Sequence, residues 1–456
     1  MYHVLVIGGG PGGYAAAIRV SQLGGRAALI EAEELGGACV NRGCIPTKVW
    51  HRGASLLHRI KTAQEFGIQA ALEGLDLAAL KARKDGVAGD IRMGMDGLLQ
   101  NNGVDRIKGR ALVKGPGEVE VDGRILKGEK IILATGSVPT VPDIPGLEDA
   151  AWTTDEALNS VKLPKTLLIW GSGPIQVEMA TFFQIFGAKV HLATSDPRIL
   201  SREDSETSQR LAQGLRELGI DILTRQQLTS VRPVDGTFEA LLSGRSEKSI
   251  KVDHVLVGSR RPNTAQMGLE QVSLHRSEDG GIQVNERLET TLSGVYAAGD
   301  CTGGWMLSHA ASSMAITAAE NAMGQEKRFP FRLIPRGIWS IPEVGAVGLS
   351  EEEAEDQGYE VETGSFPLAI NGLAMAHNEM SGAVKVVFDA RYGEILGVHI
   401  VGARATELIG QAGLCMQLEG SIREMAAGIQ LHPTISEAMV DAAREALGWA
   451  LYLPRP

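Results

Sequence analysis

A chain of 456 residues, 22% of them charged and 44% hydrophobic, is too long for one core and reads as about three globular domains. A net charge of −11 without a long basic run excludes a nucleic-acid partner. No uninterrupted apolar stretch is long enough for a bilayer, and a first strand opening at about Val4 leaves no room for a leader, so the expectation is a soluble cytoplasmic protein with no membrane partner.

The first element is a strand over residues 3–7, followed by Gly8-Gly9-Gly10-Pro11-Gly12-Gly13 and a helix from Tyr14. In this strand–turn–helix pattern Gly8 makes the turn, Gly10 lets a pyrophosphate approach the backbone, and Gly13 lets the helix pack on the strand. A second strand over residues 27–30 ends in Glu31, placed to bond a ribose 2′-hydroxyl.

The stretch Gly36-Gly37-Ala38-Cys39-Val40-Asn41-Arg42-Gly43-Cys44-Ile45-Pro46-Thr47-Lys48 comes next. On a regular helix two residues five apart are separated by about 7.5 Å, beyond the roughly 4.4–6.8 Å a disulfide spans. If Cys39 and Cys44 pair, the segment is a distorted turn, with Gly43 supplying backbone freedom. Pro46 suits the first turn of a helix opening at Cys44, and a helix N-terminus stabilises a thiolate. Four cysteines in so long a chain make no disulfide framework. The close pair points instead to a dithiol that opens and closes beside a redox cofactor.

Residues 50–101 read as helical, with the basic cluster Lys81-Ala82-Arg83-Lys84 on a solvated face. Short strands follow, including residues 118–121, and then an apolar strand over 130–137 that ends in Ala134-Thr135-Gly136, where the backbone can pass close to a dinucleotide. Residues 139–146 carry three prolines and mark a boundary. A second copy of the design begins with a strand over 166–170, the turn Gly171-Ser172-Gly173-Pro174-Ile175-Gln176, and a helix over 177–186. Two such folds indicate two nucleotides, or one duplication with a relaxed second site. The second module closes near residues 255–263, and the chain returns to the first through a strand ending in Asp300 and a helix from about Ser308. From about Leu333 the texture changes; Ser350-Glu351-Glu352-Glu353 is a capping box, and His432-Pro433-Thr434-Ile435-Ser436-Glu437 opens a final helix.

With the dithiol, both fingerprints and the His432 motif, the chain resembles the pyridine nucleotide–disulfide oxidoreductases from Val4 to about Leu447, and is most similar to their dihydrolipoyl-oxidising members. The resemblance implies an α/β fold with two Rossmann-like dinucleotide-binding domains, for FAD and NAD, and a C-terminal α+β dimerisation domain. The boundaries expected are 1–148 and 274–332 for the FAD domain, 149–273 for the NAD(P) domain, and 333–456 for the interface domain. It implies that FAD is held by Gly8, Gly10, Pro11, Gly12, Gly13, Glu31, Gly37, Lys48, Gly115, Thr135, Gly136, Asp300 and Ser308. NAD, with NADP not excluded, would be held by Gly171, Gly173, Pro174, Ile175, Thr194, Gly258 and Arg260. Cys44 is implied to be the flavin-proximal cysteine and Cys39 the one that exchanges with substrate sulfur. Lys48 and Glu178 match the ion pair beside the flavin, His432 the catalytic base and Glu437 its orienting partner. In this family the base reaches the disulfide of the other subunit, which implies a homodimer. A thiol substrate needs such a base near ambient pH, and a carboxylate neighbour raises its basicity. The substrate implied is a lipoyl-bearing protein; no metal is implied. Cys301 and Cys415 match no catalytic position and read as small buried hydrophobes.

The departures cluster in the second fold. Gln176 stands where the third glycine belongs and should disturb close helix–strand packing; Thr194 replaces the acid of an NAD site, and Ser259 the usual exit glycine. The arginines of an NADP site are displaced, although Arg198 and Arg202 lie nearby. Leu373 stands where the family has an arginine at the substrate mouth. Two other readings follow. One is an NADPH-dependent reductase of another disulfide, disfavoured by those arginines and by a 451–456 tail without cysteine. The other is a non-catalytic FAD-bearing assembly subunit, against which stand the retained Cys39, Cys44, Lys48, His432 and Glu437.

Overall fold

The computed structural model describes residues 1–454, so the tail residues Arg455 and Pro456 lie outside the described residues. The architecture is mixed α/β, built on three principal sheets.

In the first sheet the parallel strands Tyr2–Ile7, Ala27–Glu31, Asp105–Lys108 and Val295–Ala297 assemble about Arg124–Leu133. Val4, Leu5 and Val6 are fully buried, because helices cover one face and an antiparallel meander the other. On the helical face, Pro11–Gln22 packs on Ser308–Ala322 through small residues, among them Ala16, Ala17, Ala315 and Ala318. Val295–Ala297 pairs with Ile131–Leu133, so the chain leaves this sheet for the second unit and then returns to it.

The second sheet is parallel, ordered Asp221–Leu223, Lys189–Ala193, Thr166–Trp170, His254–Val257 and Ala151–Trp152. Strand order reverses between Thr166–Trp170 and His254–Val257, which opens a ligand crevice at their carboxyl ends. The third sheet is antiparallel, runs from Arg336–Ile338 to Val361–Pro367, and is backed by the helices Ala405–Gln417 and Glu437–Ala446. The capping box is formed, with Ser350 Oγ accepting from the Glu353 amide at 3.1 Å. Two buried ion pairs, Arg336–Glu203 (3.0 Å) and Lys385–Asp204 (2.9 Å), tie this sheet to the second unit.

Two local expectations need correction. Residues 50–101 are not one helical run. Cys44–Thr62 continues into a short turn that ends at Gly67 (φ 73°), and a new helix, Leu77–Asn101, starts from the Asp76 cap. Lys84 does not lie on a solvated face: it is 4% exposed and donates to Asn159 Oδ1 at 2.7 Å. A single long stem can bury its methylenes while its ammonium finds a partner, which the neighbouring basic residues do not predict.

Candidate active site

The first fingerprint is closed around its backbone. Gly8 has φ 105°, and a Cβ on Gly13 would sit 1.6 Å from the Gly8 carbonyl oxygen, so only glycine lets the helix approach the strand. Glu31 accepts from the Gly9 amide through Oε2 and from the Glu33 amide through Oε1 (2.7 Å). The dithiol segment is fastened to the same turn. The Gly36 amide donates to the Gly9 carbonyl (2.9 Å), and Gly37, at φ 53°, comes so close to Gly10 that a Cβ would lie 2.9 Å from its Cα. On the other side Thr135 donates to the Asn263 carbonyl (2.7 Å), Gly136 has φ 71°, and Asp300 accepts from Ser137 Oγ (2.6 Å). Gly10, Pro11 and Gly136 thus leave a narrow, accessible backbone cradle beside the carboxylates of Glu31 and Asp300. That cradle fits a dinucleotide with two sugar-like parts.

Gly115 does not join this group. It lies at the bulge opposite Glu118, and it is Gly109, six residues earlier, whose amide reaches the Glu31 carbonyl at 3.0 Å. The same backbone economy governs the dithiol. Cys39 lies on the short helix Gly37–Asn41 and Cys44 begins the helix Cys44–Thr62. Gly36 and Gly37 are left-handed, and Gly43, at φ −132° and ψ −107°, lies outside the ordinary helix and strand regions, so all three glycines shape the turn.

Both cysteines are free thiols, Cys44 exposed and Cys39 half-buried. Their protons are divided unequally. A hydrogen bond from Cys39 lowers Cys44 to about 6 against the cost of desolvation, helped by Ser308, whose Oγ lies 3.1 Å from the sulfur, and by Lys48. Cys39 is pushed up by the same hydrogen bond and by burial. The pair therefore behaves as one acid with one early proton, and Cys44 is the resident thiolate. Ser308, expected at the flavin, is in position to act on the sulfur as well.

Lys48 reaches across to the second unit: Nζ lies 3.1 and 3.2 Å from the two Glu178 oxygens. Glu178 is 7% exposed on the helix Pro174–Phe186 and also accepts from the Trp339 amide at 3.0 Å. Lys48 Nζ sits 3.7 Å from the centre of the Trp339 ring. Trp339 belongs to the third unit, so this cluster joins all three, and sequence reasoning missed it because no local pattern marks a residue so far along the chain.

His432 Nδ1–H donates to the Glu437 carboxylate at Oε1 (2.8 Å), while Glu437 Oε2 accepts from the Thr434 amide at 2.8 Å. The His432 side chain is 79% exposed, and Ile429 and Leu431 beside it are also open to solvent. Leu373 packs against the core of this domain instead of reaching outward. Cys301 is fully buried and its thiol is pushed up to about 11 by burial; Cys415 is only half-buried.

The second fingerprint keeps the turn and changes its filling. Gly171 has φ 120°, Gly173 caps the helix and Pro174 takes its first position. Gln176 does not pry helix from strand. Its amide, 6% exposed, lies where Gly171 and Gly258 carry no side chain, with a Cβ on either falling 2.6 or 3.0 Å from Nε2, and it donates to the Trp170 carbonyl at 3.3 Å. Helix residues Val177, Met179 and Ala180 remain fully buried. Ile175 packs at Gly258. Thr194 is 2% exposed and its hydroxyl accepts from the Asp196 amide, so it turns inward. Arg260 donates to Ser137 Oγ (2.9 Å) and to the Ser137 carbonyl (2.8 Å) of the first unit.

Residues 2–315 match the family model described as pyridine nucleotide-disulphide oxidoreductase, and residues 334–443 match that family's dimerisation domain. The chain belongs to the pyridine nucleotide-disulphide oxidoreductases. This oxidoreductase is 40% identical to the dihydrolipoyl dehydrogenase of Thermus scotoductus, over 97% of this chain and 96% of that one. It is 37% identical to the dihydrolipoyl dehydrogenase of Zymomonas mobilis, over 99% of each. Among solved structures it is similar to the HOCl-induced flavoprotein disulfide reductase RclA of Escherichia coli, with a TM-score of 0.85, 27% identity, and 96% and 99% of the two chains covered. LpdA of Mycobacterium tuberculosis gives a TM-score of 0.86 at 25% identity, over 97% and 99%. The enzyme is a flavoprotein disulfide oxidoreductase of the dihydrolipoyl dehydrogenase type, and the cofactors of its family are FAD and NAD(P). Among the described residues, no group of His, Cys, Asp and Glu is placed to hold a metal ion, and no helix is long and apolar enough to cross a membrane.

Proposed function

We propose that this enzyme oxidises a protein-bound dihydrolipoyl group through Cys39 and Cys44 and passes the electrons by way of FAD to NAD+. The observation that carries the reading is the unequal dithiol: a Cys44 thiolate beside Ser308 and Lys48, with a protonated Cys39 as its partner. The full-length similarity to proteins named dihydrolipoyl dehydrogenase supports the substrate class.

In the oxidised enzyme a substrate thiolate attacks Cys39 Sγ, the bond between Cys39 and Cys44 breaks, and Cys44 leaves as the thiolate. The second substrate sulfur then attacks the first, closing the lipoyl disulfide and releasing Cys39, which takes up a proton. His432 of the partner subunit, held by its Glu437, removes the substrate protons and returns the one Cys39 needs. Gly8, Gly10, Pro11, Gly12, Gly13, Glu31 and Asp300 would hold FAD, which would supply the two-electron acceptor between the dithiol and NAD+. Lys48, paired with Glu178 at 3.1 Å, keeps a positive group that favours the Cys44 thiolate. The dimerisation domain and the exposed His432 support a homodimer in which each base serves the other subunit. A thiol pair kept for exchange suits the reducing cytoplasm. The altered residues of the second fold, Gln176 and Thr194, favour a specialised paralogue with its own lipoyl protein.

The likeness to RclA supports a second reading, in which the enzyme reduces another disulfide with electrons from a pyridine nucleotide. Anaerobic reduction with dihydrolipoamide distinguishes them. Long-wavelength thiolate–flavin absorbance that appears on reduction and collapses on adding NAD+ is the expected result. Persistence of that absorbance with both NAD+ and NADP+ removes the pyridine-nucleotide acceptor, and absence of any reduction removes the lipoyl substrate.

A further inference from the structure

The two dinucleotide folds hold an acid against the same point of their turns. In the first, the residue between the leading glycines is Gly9, and its amide donates to Glu31 Oε2. In the second the corresponding residue is Ser172, and its hydroxyl donates to Asp196 Oδ2. A Cβ on Gly9 would lie 2.9 Å from Glu31 Oε2, so the Ser172 side chain takes the direction that the Glu31 carboxylate takes in the first fold. Asp196 stands one side-chain length behind it.

Its position is fixed from several sides. Ser201 Oγ donates to the same Oδ2 at 2.9 Å, the Asp196 amide donates to Thr194 Oγ1 at 3.1 Å, and the Leu200 amide ties the loop to the Ser172 carbonyl at 2.6 Å. Asp196 is half-exposed, and among the described residues Oδ1 accepts no hydrogen bond. One carboxylate oxygen is therefore braced against the turn, and the other is left without a partner among the described residues, open to a ligand hydroxyl.

We infer that Asp196 reads the nucleotide ribose in place of the acid missing at Thr194, and that it selects NAD(H) over NADP(H). The inference rests on the pyridine-nucleotide acceptor of the proposed function. A carboxylate accepts hydrogen bonds from the 2′- and 3′-hydroxyls, whereas a 2′-phosphate brings like charge to the same place. Two arginines on the same loop point their guanidinium groups at other partners. Arg198 donates to the carbonyls of Ser201 (3.3 Å) and Glu203 (3.1 Å). Arg202 lies 4.0 Å over the Trp305 ring and donates to the Gly304 carbonyl at 3.3 Å.

The test is direct binding of NADH and NADPH to the holoenzyme by calorimetry, for the wild type, Asp196→Asn and Asp196→Glu, with flavin content as the check on folding. The wild type is expected to bind NADH at least about tenfold more tightly than NADPH, and Asp196→Asn to weaken NADH by about tenfold, as for a lost charged hydrogen bond, while tightening NADPH. Asp196→Glu should keep the preference for NADH. A wild type that reduces NAD+ but whose NADH-to-NADPH ratio is unmoved by Asp196→Asn overturns the role of Asp196 alone. A wild type that binds neither nucleotide overturns the acceptor as well.

Discussion

In the first dinucleotide fold the third glycine is indispensable, and in the second its place is filled by a glutamine. Both turns start from a left-handed glycine, Gly8 at φ 105° and Gly171 at φ 120°, and both open a helix with proline in its first turn. They part at Gly13 and Gln176. A Cβ at Gly13 would meet the Gly8 carbonyl oxygen at 1.6 Å, whereas Gln176 has a Cβ and an amide lodged beside Gly171 and Gly258. The second helix keeps its apolar face buried and gains a side chain where the first has none. A fingerprint position is thus set by the gap between helix and strand, and the glycine is needed only where that gap is closed.

The sharpest way to break the contrast is Gly13→Ala. It should yield protein without flavin, measured as the ratio of flavin to protein absorbance, and a variant that keeps its flavin would show that the first gap can open too. Cys44→Ser comes next, because the first fold exists to serve that sulfur: turnover with dihydrolipoamide should fall about 10⁴-fold or more. His432→Gln should lower kcat with dihydrolipoamide by about 10²–10⁴-fold while flavin content stays unchanged, since the base lies outside both nucleotide folds.

A pH titration of the reduced enzyme gives a smaller, graded effect. Cys44 lies below the ordinary thiol value of 9.0, so the charged form persists as pH falls and is lost only through about 6. Thiolate–flavin absorbance should fade over that window, and Ser308→Ala should move its midpoint upward. The smallest effect belongs to the second fold. Gln176→Gly removes a buried amide and adds backbone freedom, at a cost of about 1 kcal/mol in a helix, so its melting temperature should drop by a few degrees with flavin retained. A large gain in stability would mean that Gln176 strains the turn instead of filling it.

Much of the first fold was legible because its signal is local. Gly8, Gly10, Gly13 and Glu31 are spaced by one strand, one turn and one helix, and Cys44 opens a helix as Pro46 implies. The pairs Lys48–Glu178 and His432–Glu437 were expected from family likeness, and each is in contact at 3.1 and 2.8 Å. What was not legible depends on neighbours distant in the chain. Trp339 meets Lys48 only because the third unit closes over the first. Lys84 is buried and donates to Asn159, and Arg260 donates to Ser137 of the first unit. Strand pairing also sets that Gly115 sits at a hairpin bulge while Gly109 bonds the Glu31 carbonyl.

The sequence by itself determined the α/β class, the two nucleotide folds, the dithiol and the family, because turn geometry, helix starts and strand periodicity are written within a few adjacent residues. It also exposed the anomaly at Gln176 and Thr194. Only the tertiary structure decided what the anomaly means. Whether a side chain strains a turn or fills it depends on the space left by Gly171 and Gly258, which directly follow two neighbouring strands. Whether Arg198, Arg202 or Asp196 faces a ribose depends on which carbonyls, rings and hydroxyls engage them first. Those are competitions among groups brought together by folding, and no spacing along the chain records their outcome.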